Sequence, residues 1–257
     1  MRDVHADFDA GAASDVGRVR KVNEDSFLVR SERGLWAVAD GMGGHAGGKL
    51  ASSIVVDTLG RMPPPRDVGD LVSGCAALIG EANSRIYAHG ALNGGTIGTT
   101  VAILAAQGRR FACIWSGDSR IYLVRDGRIR QLSRDHTEAQ ELVAQGVLSP
   151  EEARRWPRRN VITRAIGVGD DPELEMERGD LSANDAFVLC SDGLTNHVED
   201  GEILAAVTAH APELAAQALI DLTLARGATD NVTVIVVRYS RRGGTIASLA
   251  PAGATWA

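Results

Sequence analysis

Short runs of apolar, often β-branched residues recur along the chain, and glycine or polar turn residues separate them. This pattern predicts β-strands, which lie at 35–39, 99–106, 110–116, 120–125, 128–132, 185–190 and 231–239. Asp126 and Gly127 join two of these runs. Because this pair tolerates the positive φ angles of a tight hairpin turn, the two flanking strands are predicted to be antiparallel.

Apolar residues at helical spacing predict helices at about 46–61, 67–89, 137–146, 150–156 and 200–226. Ala211 and Pro212 are expected to break the last of these into two helices. Ser149 and Pro150 suit the N-cap and the first turn of the helix at 150. Strands and helices come in blocks rather than in strict alternation, so the pattern favours an α+β fold with antiparallel sheets over a doubly wound parallel fold.

The composition is that of an ordinary globular protein, with 44% hydrophobic and 23% charged residues. We expect one domain at 1–240 and a loosely ordered tail at 241–257, where Gly, Ala and Pro occur without periodicity. The net charge of −6 offers no basic surface for nucleic acid. No apolar run is long enough to cross a membrane and the N-terminus does not resemble a signal peptide, so we expect a cytoplasmic protein without a membrane partner.

Acidic residues stand at the ends of several predicted strands. Asp40, Asp118 and Asp192 each follow a strand, and Asp230 directly precedes one. In an antiparallel sheet the end of one strand lies beside the start of its neighbour, so these four carboxylates can converge on one edge. A single Asp-Gly after a strand is more often a simple turn. Four at equivalent positions instead predict a carboxylate-lined metal site, because like charges this close need a hard cation among them.

Six motifs follow one another along the chain: RKVNEDS (20–26), VADGMGGHAGG (38–48), GTT (98–100), GDSRIY (117–122), SDGL (191–194) and DNVT (230–233). Their order resembles the PP2C-type, metal-dependent serine/threonine protein phosphatases. LSRDHT (132–137) and the segment 146–167 resemble the bacterial branch of that family. The resemblance covers roughly residues 8 to 239. It implies a four-layer α/β/β/α sandwich, with two antiparallel sheets face to face, helices outside, and a metal cluster at one end of the sheets.

The resemblance also implies roles for the acids. Asp40 matches the residue that bridges two metal ions, and the carbonyl of Gly41 matches a ligand of one of them, with the bare glycine giving the cation access. Asp192 and Asp230 resemble ligands of the first metal. On the side of the second metal the resemblance offers two candidate ligands, Glu24 and Asp25. Which of them binds the metal directly stays open.

Asp118, together with Asp192, matches the position that binds a third, weaker metal in bacterial members. Arg20 matches the arginine that grips the substrate phosphate, a task suited to its planar fork of donors. The implied reaction is in-line attack on phosphorus by a hydroxide that bridges two cations about 3.5–4 Å apart, without a phosphoenzyme. Oxygen ligands indicate Mn²⁺ or Mg²⁺, and the sequence does not choose between them.

Cysteine chemistry is not expected. Cys75, Cys113 and Cys190 lie in apolar surroundings, and none has the arginine six residues on that a Cys-x5-Arg phosphate loop requires. They are predicted to be buried reduced thiols.

The sequence leaves open which group acts as the general acid. Many eukaryotic relatives have a histidine directly after the Asp-Gly, where this chain has Met42. The later His45 is a hypothesis for that role, and a metal-bound water could do the same work. His136 is a weaker candidate, because a histidine that begins a helix is more often a cap or packing residue.

The segment 137–165 matches a flap beside the active site of bacterial relatives. It carries a basic run made of Arg154, Arg155, Arg158 and Arg159. These arginines either steer acidic phosphosubstrates towards the site or form an ordinary solvated helix face.

The resemblance implies phosphorylated Ser/Thr proteins as partners, with a cognate bacterial Ser/Thr kinase and type VI secretion regulators among the candidates. We expect a monomer. A nuclease using the same carboxylates is disfavoured by the acidic charge. A catalytically dead binding module is disfavoured because Asp40, Asp192 and Asp230 are all present.

Overall fold

The computed structural model describes residues 8–240, except for the side chains of His45 and Ala46. The predicted tail at 241–257 lies outside the described residues. Two five-stranded antiparallel sheets dominate this range. The first runs in the order β1 (Phe8–Asp15), β12 (Val232–Tyr239), β11 (Ala186–Cys190), β8 (Arg120–Arg125) and β9 (Arg128–Gln131).

The second sheet runs in the order β10 (Glu175–Asp180), β7 (Arg110–Ser116), β6 (Val101–Gln107), β3 (Leu35–Ala39) and β2 (Ser26–Arg30). A short pair, β4 (Gly41–Met42) with β5 (Gly98–Thr99), extends the region just beyond β3. The Asp126-Gly127 hairpin between β8 and β9 has positive φ angles at both residues, as predicted.

Helices cover the outer face of each sheet. α1 (His45–Gly60) and α2 (Val68–Leu92) pack on the second sheet, whereas α5 (Asp192–Thr195), α6 (Asp200–Ala209) and α7 (Pro212–Ala225) pack on the first. Two short helices, α3 (Glu138–Ala144) and α4 (Pro150–Arg154), lie in the segment between β9 and β10. The predicted four-layer α/β/β/α sandwich is therefore confirmed.

Strand β3 shows why the central strands read as unbroken apolar runs. Trp36 and Val38 point into the core between the two sheets. Leu35, Ala37 and Ala39 point the other way, into the layer between the second sheet and its helices. Because both faces of the strand are buried, no polar residue alternates with the apolar ones.

Aromatic side chains fill the space between the sheets. Phe111 from β7 meets Phe187 from β11 edge to face, with ring centroids 4.9 Å apart. This contact joins the two sheets near the N-terminal end of β7. Such pairs contribute about 0.5–1.5 kcal/mol beyond the area that they bury.

The strands that the sequence pattern did not predict lie at the edges of the sheets. β10 alternates between half-buried and exposed positions and has the polar sequence EMERGD. β1 is built from small residues because α7 crosses directly over it. A Cβ atom on Gly11 would lie 2.2 Å from the Cα atom of Glu213, so a larger residue there would displace the helix. β2 is the opposite edge of the second sheet.

The predicted break near Ala211 is confirmed, since α6 ends at Ala209 and α7 begins at Pro212. Helix α4 carries the predicted cap at Ser149, completed as a capping box by Glu152. α2 extends three residues past its predicted end, to Leu92.

The three cysteines are buried and free, as predicted. Burial raises the pKa of the Cys75 and Cys190 thiols to about 12, which keeps them protonated and unreactive. Among residues 8–240, no helix is both long enough and apolar enough to cross a membrane.

Candidate active site

One end of the sandwich carries a cavity of about 290 Å³. Three strand ends and one strand start meet there. Asp40 follows β3, Asp118 follows β7, Asp192 begins α5 directly after β11, and Asp230 lies two residues before β12. All four line this cavity, together with Glu24. The convergence that the strand-end positions predicted is therefore present in the fold.

The carboxylates at this end raise one another's pKa. Burial, followed by the charges of Asp25, Asp192 and Asp118, holds the pKa of Asp40 well above its usual range. Burial and the charge of Asp192 raise the pKa of Asp118 to about 8. Burial and the charge of Asp230 likewise raise the pKa of Asp192. Arg20 and Arg120 compensate only part of the negative charge that these groups would carry at neutral pH.

Several carboxylate oxygens in this region have no donor from the protein. Glu24 Oε1, Asp25 Oδ1 and Asp118 Oδ1 are buried and accept no hydrogen bond from the described residues. A buried acceptor without a partner is costly. Oxygen atoms of this kind, in an oxygen-only site with excess negative charge, fit a hard divalent cation.

Asp25 lies behind the cavity wall rather than on it. It is buried, and its Oδ2 accepts hydrogen bonds from Ser191 Oγ at 2.8 Å and from Thr233 Oγ1 at 2.7 Å. Burial raises the pKa of Asp25 to about 6, although these two hydrogen bonds act in the opposite direction. Glu24, in contrast, faces the cavity.

Asp230 is engaged by Arg20. The guanidinium donates to Asp230 Oδ2 at 2.7 Å, and this hydrogen bond with its charge interaction raises the pKa of Arg20. The side chain of Arg20 is 51% exposed, so it stands at the rim of the cavity. The structure thus brings Arg20 to the acidic cluster, as the motif predicted.

No three acidic, histidine or cysteine side chains within residues 8–240 gather into a compact group that could hold an ion by themselves. Asp230 is turned to Arg20, and Asp25 is turned to Ser191 and Thr233. A complete ligand shell here therefore needs water molecules or side-chain rotation in addition to the carboxylates.

Gly41 and Gly48 are glycines because their backbones meet. A Cβ atom on Gly41 would lie 2.1 Å from the carbonyl oxygen of Gly48, and one on Gly48 would lie 2.8 Å from Glu24 Oε1. Close packing thus adds a second reason for the glycines, beyond the access that the sequence suggested. Gly44 differs from them, since its φ is +83° and a Cβ atom there would meet only open space.

Residues that the sequence reasoning gave no role hold the acidic loops in place. Asn231 accepts a hydrogen bond from the backbone N–H of Glu24 at 2.8 Å and donates to the carbonyls of Val16 and Val22. Thr99 Oγ1 donates to the carbonyl of Asp40 at 2.8 Å. The quoted motifs GTT and DNVT contained these residues, but only the fold shows which loop each one supports.

The sequence model of the family described as Protein phosphatase 2C matches residues 17–219. The chain belongs to the protein phosphatase 2C family. The matched range contains Arg20, Asp40, Asp118 and Asp192, and it ends before Asp230. The predicted family is confirmed.

Three relatives of this phosphatase 2C chain illustrate the similarity. The serine/threonine protein phosphatase PstP of Mycobacterium tuberculosis is 41% identical over 229 residues, which are 88% of this chain and 44% of PstP. The chain thus spans less than half the length of that relative. A structure of PppA, described as a key regulatory component of T6SS in Pseudomonas aeruginosa, is 40% identical with a TM-score of 0.85, covering 91% of this chain and 98% of PppA.

The third is the catalytic domain of PstP, solved in complex with two manganese ions. It is 37% identical with a TM-score of 0.82, and the similarity covers 91% of this chain and 99% of that domain.

The two candidate histidines of the phosphatase 2C chain, His45 and His136, differ in their positions. α1 begins at His45, whose side chain lies outside the described residues, so its role as general acid stays a prediction. His136 is buried and does not line the cavity. Its Nδ1 accepts the backbone N–H of Gly117 at 3.1 Å, and burial lowers its pKa. His136 therefore supports the loop that carries Asp118.

The segment 137–165 borders the cavity through Asn160 and Ile162. Of the four arginines at 154–159, Arg158 pairs with Glu138 at 2.9 Å, which neutralises part of the basic run. The steering role of these arginines stays a prediction.

Proposed function

We propose that the chain is a metal-dependent serine/threonine protein phosphatase, which hydrolyses phosphoserine and phosphothreonine without a phosphoenzyme. The observation that carries this proposal is the acidic cavity, where burial and neighbouring carboxylates raise the pKa of Asp40, Asp118 and Asp192, and where buried carboxylate oxygens lack donors. Family membership supports the reaction class, and the manganese complex of the PstP domain supports the metal.

The residues that would hold the cations come from four loops. Asp40, the carbonyl of Gly41, Asp192 and Asp230 are the candidate direct ligands, with Asp118 for a third, weaker ion. Two divalent cations, Mn²⁺ or Mg²⁺, supply Lewis-acid polarisation of the phosphoryl group and a nucleophile from water at neutral pH when bound at such a site. Glu24 faces the same space and supplies a further oxygen.

Arg20 would bind the phosphoryl oxygens. Its guanidinium presents parallel N–H donors that match two oxygens of a phosphate. Asp230 holds the head of the side chain beside the cavity at 2.7 Å, and the half-exposed position leaves the remaining donors free to meet a ligand. Charge that builds on the phosphoryl group during reaction is then stabilised by a cation already in position.

The glycines after Asp40 give a substrate room to approach. Gly43 and Gly44 line the cavity mouth, and no atom lies within 4 Å of where a Cβ atom of Gly44 would be. A phosphorylated side chain on a protein segment needs such an opening, because its backbone must pass close to the site.

The test measures phosphate release from a phosphothreonine peptide with Mn²⁺, with Mg²⁺ and with chelator. We expect turnover only with divalent ion, and a loss of about 100-fold or more in Asp192→Asn, as for other groups that stabilise charge in a transition state. Asp57→Asn is the matched control, because Asp57 is an exposed aspartate on α1 away from the cavity. Turnover in chelator, or equal turnover in Asp192→Asn, would contradict the proposal.

Partners follow from the relatives. Phosphorylated proteins are the substrates that the family acts on, and a cognate Ser/Thr kinase with its targets is the finer proposal. The similarity to PppA supports regulators of type VI secretion as candidate targets. A monomeric state and a cytoplasmic location stay predictions.

A further inference from the structure

A second cavity, of about 850 Å³, lies at the opposite end of the second sheet. The start of α2, the turn between β6 and β7, and the end of β10 enclose it. β7 leads from Arg110 at this cavity to Ser116 beside the acidic loop, and at about 3.3 Å per residue this places the two cavities about 20 Å apart. The second cavity is therefore separate from the active site.

Arginines dominate the charge of this cavity. Four of them line it, against two aspartates, Asp67 and Asp180. The arginines are Arg66, Arg109, Arg110 and Arg178. This basic surface stands out on a chain whose net charge is −6.

Most of these arginines have no carboxylate partner among the described residues. Arg66 pairs with Asp70, donating through Nη2 to Oδ1 at 2.6 Å. Arg109 and Arg110 make no side-chain hydrogen bond or ion pair within residues 8–240, and Arg178 contacts only the sulfur of Met176. Unpaired guanidinium groups gathered around one cavity favour an anionic ligand.

Arg110 is the sharpest case. It lies directly opposite Asp180 in the pairing of β7 with β10. Opposite charges in this register usually interact, yet no ion pair forms between them in the structure. The head group of Arg110 is left for a ligand.

The first turn of α2 adds donors to the same wall. Val68 and Gly69 line the cavity, and the backbone N–H groups of a first helical turn have no partner within the helix. Asp67 caps only the N–H of Asp70, at 2.9 Å. The positive end of the dipole of this 25-residue helix therefore faces the side of the cavity that carries the arginines. The carboxylates of Asp67 and Asp70 offset part of that positive charge.

The size and the remaining lining suit an organic molecule. Ligand sites for small molecules are typically about 300–1,000 Å³. Val72 and Ala112 supply an apolar wall on the helix-covered face of the sheet.

We propose that this cavity binds a small organic polyanion, a molecule with two or more phosphate or carboxylate groups on an apolar or ring-containing body. The arginines and the amide groups of α2 bind the anionic groups, and the wall at Val72 and Ala112 contacts the body. Occupation of the cavity leaves the acidic active site free, because the two lie at opposite ends of β7.

The test is calorimetric titration of the divalent-loaded protein with MgATP, with Mg²⁺ in excess so that no metal is removed. We expect the affinity for MgATP to fall about 10-fold or more in the double variant Arg109→Gln/Arg110→Gln, because each substitution removes a charge-assisted hydrogen bond to the ligand. Arg178→Gln, a second variant at the same wall, is expected to change this affinity in the same direction. All three arginines are exposed, so the variants are expected to fold, which thermal melts verify.

Two controls separate the sites. Arg128→Gln removes an exposed arginine on β9 that makes no ion pair with any residue between 8 and 240, and it is expected to leave MgATP binding unchanged. Arg20→Gln reports binding at the active site instead. Inorganic phosphate, titrated in the same way, is expected to bind more weakly than MgATP, since it lacks the body and the second anionic group.

Three results would overturn the proposal. One is no MgATP binding up to about 1 mM, the weak limit of a specific site. Another is MgATP binding that Arg20→Gln abolishes and Arg109→Gln/Arg110→Gln does not change. The third is binding of a hexa-aspartate peptide in place of MgATP, which would assign the surface to an acidic protein partner.

Discussion

The two ends of β7 lead to cavities of opposite charge. At the end after Ser116, carboxylates crowd together until burial and mutual repulsion raise the pKa of Asp118 to about 8. At the end before Arg110, three of the four arginines around the cavity have no carboxylate partner among residues 8–240. The second sheet connects these two ends of opposite charge.

Elsewhere the same fold pairs its charges closely. Asp185 is fully buried, and Arg125 donates to both of its oxygens at 2.7 and 2.6 Å. Arg120 grips Asp135 in the same bidentate manner, at 2.8 to 3.0 Å. Unpaired charge in the described part of the protein is therefore concentrated at the two cavities. We interpret each of them as a place where a ligand of opposite charge binds.

The largest expected effect is on the pH dependence of the free energy of unfolding, measured with chelator present. A carboxyl whose pKa is raised by folding binds a proton more tightly in the folded state, so it stabilises the protein at low pH. That contribution is lost as pH rises from about 4, the unfolded pKa, through about 8 for Asp118. Each pH unit in this window changes the free energy of unfolding by about 1.4 kcal/mol per extra proton bound.

We therefore expect the melting temperature in chelator to fall by several °C between pH 5 and pH 8, at about 2–4 °C per kcal/mol for a domain of this size. Asp118→Asn should flatten the decline, and Mg²⁺ should remove much of it. Glu202, whose pKa is lowered to about 2 by Arg226, loses its contribution only below this window. A melting temperature in chelator that rises from pH 5 to pH 8 would contradict the account of the acidic end.

A smaller effect tests the packing at that end. Gly41→Ala places a Cβ atom 2.1 Å from the carbonyl oxygen of Gly48, so the loop must move. We expect a loss of about 1–3 kcal/mol in the free energy of unfolding, typical of overpacking, with a loss of metal-dependent turnover. Gly201→Ala, in open space on α6, is the control and should leave stability equal or higher. Unfolding in urea measures both, and equal stabilities would show that the loop yields freely.

The smallest effect belongs to the basic end. Arg109→Gln/Arg110→Gln removes like charges that repel one another in solvent, so we expect a stabilisation of less than about 1 kcal/mol at low salt. The effect should disappear at high salt, where exposed charges are screened. Urea unfolding at two salt concentrations, beside Arg128→Gln, measures it. A destabilisation of several kcal/mol would mean that these arginines hold the turn together, contrary to their lack of partners.

The central strands and the acidic site could be predicted from sequence because each signal is local. β3, β7 and β8 have the predicted bounds, since strands buried on both faces read as continuous apolar runs between turns. Asp40, Asp118 and Asp192 stand just after strands and Asp230 just before one, so their shared position was visible before the fold was known.

The rest depends on contacts between distant segments. β1 is a strand of small residues because α7, two hundred residues later, lies across Gly11. Arg110 and Arg178 belong to separate strands and reach one cavity only after β10 pairs with β7. Asn231 supports Glu24 by a hydrogen bond across 207 positions, which no local pattern announces.

The pairing of the first and last described strands has a practical consequence. Phe8 lies opposite Tyr239 in the register of β1 with β12, with ring centroids 5.3 Å apart, and the active-site ends of those strands are at Asp15 and Val232. Eight residues separate the two ends of each strand, a span of about 25 Å. A fusion partner or surface tether joined there projects away from the catalytic mouth, and a short linker between these neighbouring ends would permit circular permutation with new ends opened in the turn at Gly108.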